Sequence, residues 1–213
     1  MSTVIVATMI VSGSAVAGGD LAIDLLLAEA RSLARLIERI DRSGAMASVA
    51  AFKTLPLPGR YRVPYSEPIG RASRAYSIPE PLIAAVIKCE SDWNYRARSK
   101  ANARGLMQIL PQTAGETFGV RSEHLWNPAI NISVGTAYLR LLANRYNGNT
   151  LNVIAAYNAG PAPVARWQTE IRDNGDPLLY MESIPYWETR GYVAIVMRNY
   201  WMYLRQADAP APS

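Results

Sequence analysis

From Pro68 to Arg205 the chain carries one helix signal after another and no convincing run of strands, which confines this stretch to a mainly α domain. Ser77 and Glu80 have the spacing of a capping box, and prolines are tolerated in a first turn, so a helix is expected to start near Ile78. A second is expected from Pro111 to a stop at Gly119. A third runs from about Asn131 to Tyr146, with Ile132, Val134, Tyr138, Leu141 and Leu142 as apolar anchors. A fourth follows Thr150 and ends at Gly160-Pro161, a glycine stop with a proline behind it. The last spans about Tyr192 to Leu204.

The flanks read differently. Residues 1–19 are apolar and small, and Ala15-Val16-Ala17 before Gly18 has the small-x-small form of a signal-peptidase site. A basic n-region is missing, and the stretch is too short and too rich in Ser and Gly for a transmembrane helix. The expectation is a signal peptide, with an apolar cytoplasmic N-terminus or a misplaced start as the alternatives. Residues 20–65 hold an amphipathic helix and a linker. Ile23, Leu26, Ala30, Leu33, Ile37 and Ile40 form an apolar seam, expected to dock against the main domain with a partner-binding helix as the lesser alternative, and Gly44, Pro56, Pro58, Gly59 and Pro64 interrupt the stretch after it. The main domain is placed at residues 66–205, and the Ala/Pro-rich residues 206–213 read as a disordered tail.

A length of 213 residues suffices for one well-packed domain with extra at its ends. The net charge of +5 suits an acidic polymer, whether nucleic acid, anionic lipid or cell wall, without choosing among them. The densest basic cluster, Arg96, Arg98, Lys100 and Arg104, is also what a solvated face looks like. Cys89 and His124 stand alone in their kinds, so there is no intramolecular disulfide and no good basis for a Cys–His nucleophile or a zinc site. No cofactor or metal is implied. Twelve Tyr and five Trp against two Phe suit a groove that meets both water and sugar rings, although most are expected at the core edge.

The chemistry concentrates at one residue. On the helix from Leu82 to Glu90, Ile83, Val86, Ile87 and Glu90 share a face, which places an acid at the end of an apolar stripe. Burial and the negative end of the helix dipole both keep a proton on such a carboxyl, as a general acid requires. On the helix pattern alone, an ending helix with Glu90 in water fits equally well.

The neighbouring motifs favour the first reading. Glu90-Ser91 is followed by Trp93-Asn94, Gly105-Leu106-Met107-Gln108 with Pro111, Ala156-Tyr157-Asn158-Ala159-Gly160-Pro161, Glu182-Ser183-Ile184-Pro185, and Glu188-Thr189-Arg190-Gly191-Tyr192-Val193. In this order and spacing, over roughly Pro68 to Tyr203, the set resembles the soluble lytic transglycosylase family, whose catalytic domain has the lysozyme-like fold. The resemblance implies that Glu90 is the catalytic acid/base and that Ser91 supports it. It further implies that Gln108, Tyr157, Asn158 and Glu188 line the substrate site, with Ser99 and Met107 as further substrate-binding positions; for Met107 and Leu106 ordinary packing fits at least as well. Tyr192, Tyr200 and Tyr203 are expected as core or groove wall. Tyr95 and Lys100 depart from the prolines or small residues common in the family, which bears on the shape of the loop between Glu90 and Gly105.

The family mechanism implied is cleavage of the bond between N-acetylmuramic acid and N-acetylglucosamine of peptidoglycan by one acid, closing a 1,6-anhydro ring without water. Rival readings are a goose-type lysozyme, which delivers water instead, and an inactive peptidoglycan-binding scaffold of a secretion or conjugation apparatus. An arginine-rich nucleic-acid binder lacks any motif or basic helix. The expected partner is the glycan strand, with secretion or conjugation machinery as a further candidate. The expected location is the periplasm or cell exterior, with no integral membrane span.

Overall fold

The computed structural model describes residues 63–207. The expected signal peptide, the Ile23–Ile40 seam, most of the linker and the expected tail's residues 208–213 lie outside the described residues. Eight α-helices make up the described part: α1 (Ser66–Tyr76), α2 (Glu80–Ser91), α3 (Pro111–Phe118), α4 (Pro128–Arg145), α5 (Thr150–Ala159), α6 (Pro161–Glu170), α7 (Pro177–Ser183) and α8 (Trp187–Ala207). A 3₁₀ turn, Ser122–Trp126, lies between α3 and α4. No strand occurs among the described residues; two isolated bridges, Arg98 with Arg104 and Arg104 with Ile109, tie the loop after α2 to itself. The mainly α expectation holds.

Prolines and short polar caps set the helix starts. α3, α4, α6 and α7 each begin on a proline, whose missing N–H is no loss in a first turn. Asn127 accepts from the amides of Ala129 and Ile130 at 2.9 and 3.2 Å, so α4 starts at Pro128, three residues before the expected Asn131. Asn149 and Asp176 cap α5 and α7 in the same way. The stops at Gly119 and Gly160 fall where the sequence puts them, both at positive φ.

The capping box at Ser77 does not form. Ser77 takes the left-handed conformation (φ 51) that ends α1, and Pro79 is the extended residue before α2. A proline at position 79 disfavours helical geometry at Ile78, so the helix starts at Glu80. The last helix, in turn, begins at Trp187, a turn and more before the expected Tyr192.

α2 is the central element. Leu82 through Ile87 are all buried in succession, so the helix is covered on nearly every side and not along one stripe only. It packs most extensively along α8 and also touches α1, while α4 lies against α1 and α5. Arg140 of α4 donates to the carbonyls of Tyr76 and Ser77 and so closes the end of α1 onto α4. One continuous apolar core, from Ile69 on α1 to Tyr203 on α8, holds the end of α2 in place.

Candidate active site

Glu90 occupies the last turn of α2 and is 5% exposed. Of the two sequence alternatives, the buried one is observed. Burial lifts its carboxyl from an ordinary 4.5 to about 7, and a hydrogen bond from the Tyr192 hydroxyl to Oε1, at 2.7 Å, pulls the other way. No neighbouring carboxylate contributes to the shift. With Oε1 accepting from Tyr192, Oε2 is the oxygen left to carry the proton. Tyr192 and Tyr157 are both held well above the usual tyrosine range, by burial first and by the adjacent Glu90 carboxylate second. Both phenols therefore act as neutral donors. Asp92, two residues on, is exposed and pairs with Lys88 on the outside of the helix end.

The segment Gly105-Leu106-Met107-Gln108 is tied through its backbone to Ser91 and Tyr157. Ser91 donates to the Leu106 carbonyl at 2.8 Å, and Tyr157 on α5 donates to the Met107 carbonyl at 2.8 Å. Asn131 of α4, with no exposed surface, accepts from the Met107 amide at 2.8 Å. Its own amide group donates to the carbonyls of Arg104 and Leu125 at 2.8 and 2.9 Å. Gln108 sits at φ 46 and donates both hydrogens of Nε2, to the carbonyls of Ala97 and Gly105 at 3.0 and 2.9 Å. Gly105 has no alternative there: at φ 75, a Cβ would stand 2.3 Å from the Asn131 side chain.

α5 and α8 are joined next to Glu90. Thr189 donates to Oδ1 of the buried Asn158 at 2.7 Å, one turn before Tyr192. Tyr157 also packs its ring on Tyr138 of α4, with centroids 5.5 Å apart. Glu90, Ser91, Gln108, Tyr157 and Asn158 are thus gathered by the meeting of α2, α5, α8 and the loop before α3.

The other expected site residues are placed differently. Glu188 is half-buried in the first turn of α8. Ser99 is half-buried in the loop, where its hydroxyl accepts from the Ala103 amide at 3.0 Å. Met107, a substrate-binding position by resemblance for which packing fitted at least as well, is packed, with no exposed surface: Gly135 of α4 leaves the room it fills, and a Cβ at Gly135 would come within 2.4 Å of its sulfur. Its contribution to the site is its backbone. Three buried residues take part that the sequence does not single out for a site role. Tyr192, expected as core or groove wall, places its hydroxyl on Glu90. Asn131 and Thr189 complete the polar framework, and Asn131 is legible as a polar residue at the head of the Ile132–Leu142 apolar pattern.

The comparisons concern the family and the fold. The chain matches the family model "Transglycosylase SLT domain" over residues 67–178. It is 36% identical over 148 residues to the soluble lytic murein transglycosylase of Escherichia coli, an alignment that covers 66% of this chain and 23% of that protein. The solved structure of the lytic transglycosylase Slt from Pseudomonas aeruginosa superposes with a TM-score of 0.65 at 30% identity, covering 90% of this chain and 32% of that one. The 70 kDa soluble lytic transglycosylase of E. coli superposes with a TM-score of 0.64 at 32% identity, covering 84% and 31%. The chain therefore spans between 23% and 32% of the length of these relatives. The helical arrangement and the matched span agree, and this chain belongs to the Transglycosylase SLT domain family.

Proposed function

We propose that this chain is a peptidoglycan lytic transglycosylase that uses Glu90 as its one acid/base. The observation that carries the reading is a single buried carboxyl raised to about 7 by burial alone, with no second carboxylate contributing to the shift. Glycosidases that work through a covalent intermediate place a second carboxylate about 5–5.5 Å away as nucleophile. Here Oε2 of Glu90 protonates the glycosidic oxygen between N-acetylmuramic acid and N-acetylglucosamine, and the muramyl N-acetyl group stabilises the cationic centre. The ionised Glu90 then takes the proton of the muramyl C6 hydroxyl as that oxygen closes onto C1, giving the 1,6-anhydro end. Because the second nucleophile belongs to the same sugar, positioning contributes up to about 7–11 kcal/mol to that step.

The remaining residues take supporting roles in the same reading. Tyr192 steadies the ionised carboxylate. Ser91 and Tyr157 fix the Gly105–Gln108 backbone. Gln108, with its Nε2 committed, offers its amide oxygen to substrate, and Asn158, Glu188 and Ser99 line the glycan path. The chain acts outside the cytoplasm, exported to the periplasm by a leader within residues 1–19, and the Ile23–Ile40 seam meets a secretion or conjugation apparatus. Among the described residues, no helix is long and apolar enough to cross a membrane.

The test is mass spectrometry of purified peptidoglycan after treatment with the protein or with Glu90→Gln. Ends in 1,6-anhydromuramic acid, missing with the variant, are expected. Products one water heavier would replace the proposal with a lysozyme-type hydrolase, and wall binding without cleavage would replace it with a scaffold.

A further inference from the structure

The start of α8 carries the most exposed large apolar side chain among the described residues. Trp187 is 67% exposed, against 40% for Leu179, the next in order. Its backbone is fixed on both sides. Before it, the carbonyl of the fully buried Ile184 accepts from Nε and Nη2 of Arg190 at 3.2 and 2.8 Å. Tyr186 sets its ring edge-on to Trp167, with centroids 5.0 Å apart. After it, Thr189 is held to Asn158 at 2.7 Å. The Trp187 indole takes no part in the apolar core, so packing does not account for it.

A glycine lies beside it. Trp187 and Gly191 are four residues apart and share a side of α8, while Glu188 and Tyr192 share the adjoining side, about 100° round the helix. A Cβ built on Gly191 would meet nothing within 4 Å, the indole included, and the residue is not in the left-handed region. Neither packing nor backbone conformation calls for glycine there, and glycine weakens a helix interior relative to alanine. Gly135, by contrast, is required by the Met107 side chain. A helix glycine that the fold does not require fits a place where something from outside approaches the backbone. Side chains on a helix lean toward its N-terminus, so the open space over Gly191 adjoins the turn that Trp187 begins. Trp187 stands about 7.5 Å of helix rise before Tyr192, whose hydroxyl is on Glu90.

We propose that Trp187 and Gly191 form a sugar-binding shelf at the edge of the Glu90 site, on which one pyranose ring of the glycan strand lies flat. The indole meets the apolar C–H face of the ring, and the bare backbone at Gly191 lets the ring settle close. A carboxyl oxygen of Glu188, next to them, accepts from its hydroxyls. The shelf adds affinity for substrate without touching the reacting atoms. The choice of a glycan as occupant rests on the proposed action at peptidoglycan; the shelf itself rests on the exposed indole and the unrequired glycine.

The test is titration of chitotetraose into the full-length Glu90→Gln protein, followed by calorimetry and by the Trp187 indole N–H signal in NMR. A saturable shift of that signal is expected. Adding Trp187→Ala should weaken binding about tenfold without lowering the melting temperature, because the ring is exposed, and Trp187→Tyr should restore most of the affinity. Gly191→Ala separates fold from function: it should raise the melting temperature through helix propensity while the added methyl weakens binding about fivefold. Silence of the indole at millimolar tetrasaccharide, or affinity unchanged by either alanine substitution, overturns the shelf. Wild-type cleavage of peptidoglycan is scored separately, and there Trp187→Ala should raise the half-saturating substrate concentration with the maximal rate retained. An enzyme that cuts without these binding effects sinks only the shelf, and the binding effects without cutting sink only the proposed activity.

Discussion

Glu90 is costly to the fold in a pH-dependent way. Below about pH 4.5 the group is neutral in both folded and unfolded chains and has no linkage effect. Between 4.5 and about 7 the unfolded chain ionises first, so stability falls as pH rises; above 7 the loss is complete. At 1.36 kcal/mol per unit, the full loss is about 3 kcal/mol. Glu90→Gln is therefore expected to be more stable than the parent at pH 8 and close to it at pH 4, measured by urea denaturation at both values. The proposed catalysis has the opposite preference, because the acid must hold its proton, and under that proposal the rate on peptidoglycan should decline above about pH 7. Tyr192→Phe removes the hydrogen bond that favours the ionised carboxylate, so the alkaline limb of the pH–rate profile should move to higher pH. A purely structural role for Tyr192 would lower the rate at every pH and leave the limb in place.

At the scale of elements, α4 holds the loop on which the site depends. Asn131→Ala would leave the Met107 amide and the Arg104 and Leu125 carbonyls without their partner. The expected loss is about 3 kcal/mol, read from the urea midpoint, with activity falling in parallel as the Gly105–Gln108 backbone loosens. The elements legible in the sequence are those with their own punctuation: the apolar run into Glu90, the stops at Gly119 and Gly160, and the span after Thr150. α1, α6 and α7 are not singled out there, since each is a short helix whose boundary depends on a proline or on a left-handed neighbour such as Tyr65. The misread capping box has the same origin, because Ser77 belongs to the end of one helix and not to the start of the next. Within the site, motif order points to Glu90, Ser91, Gln108 and Tyr157. The Tyr192–Glu90 bond joins residues 102 positions apart, and helical periodicity gives no information about which distant side chain a buried acid will meet.

At the scale of the molecule, one apolar core runs from α1 to α8 with α2 through its middle, and no separate cluster supports either end among the described residues. Residues 63–207 should lose secondary and tertiary structure together, so far- and near-ultraviolet circular dichroism should give coincident urea transitions. Two separate transitions would mean that α2 and α8 come apart before the rest. The net charge of +5 gives the chain a long-range attraction to an acidic polymer, and its retention on purified cell wall should weaken as salt is raised, in a sedimentation assay.

The framework around Glu90 grips the loop between residues 97 and 108 almost wholly by its main chain: Ser91, Tyr157, Gln108 and Asn131 all bond to its peptide groups. A peptide group is the same whatever side chain it carries. Tyr95, Arg96 and Lys100, exposed on the outside of that turn and its approach, are therefore open to change without loosening the framework beneath. The architecture separates what must be kept from what can be altered, and a library randomised at those three positions would vary the outer surface of the loop while the frame around Glu90 stays intact.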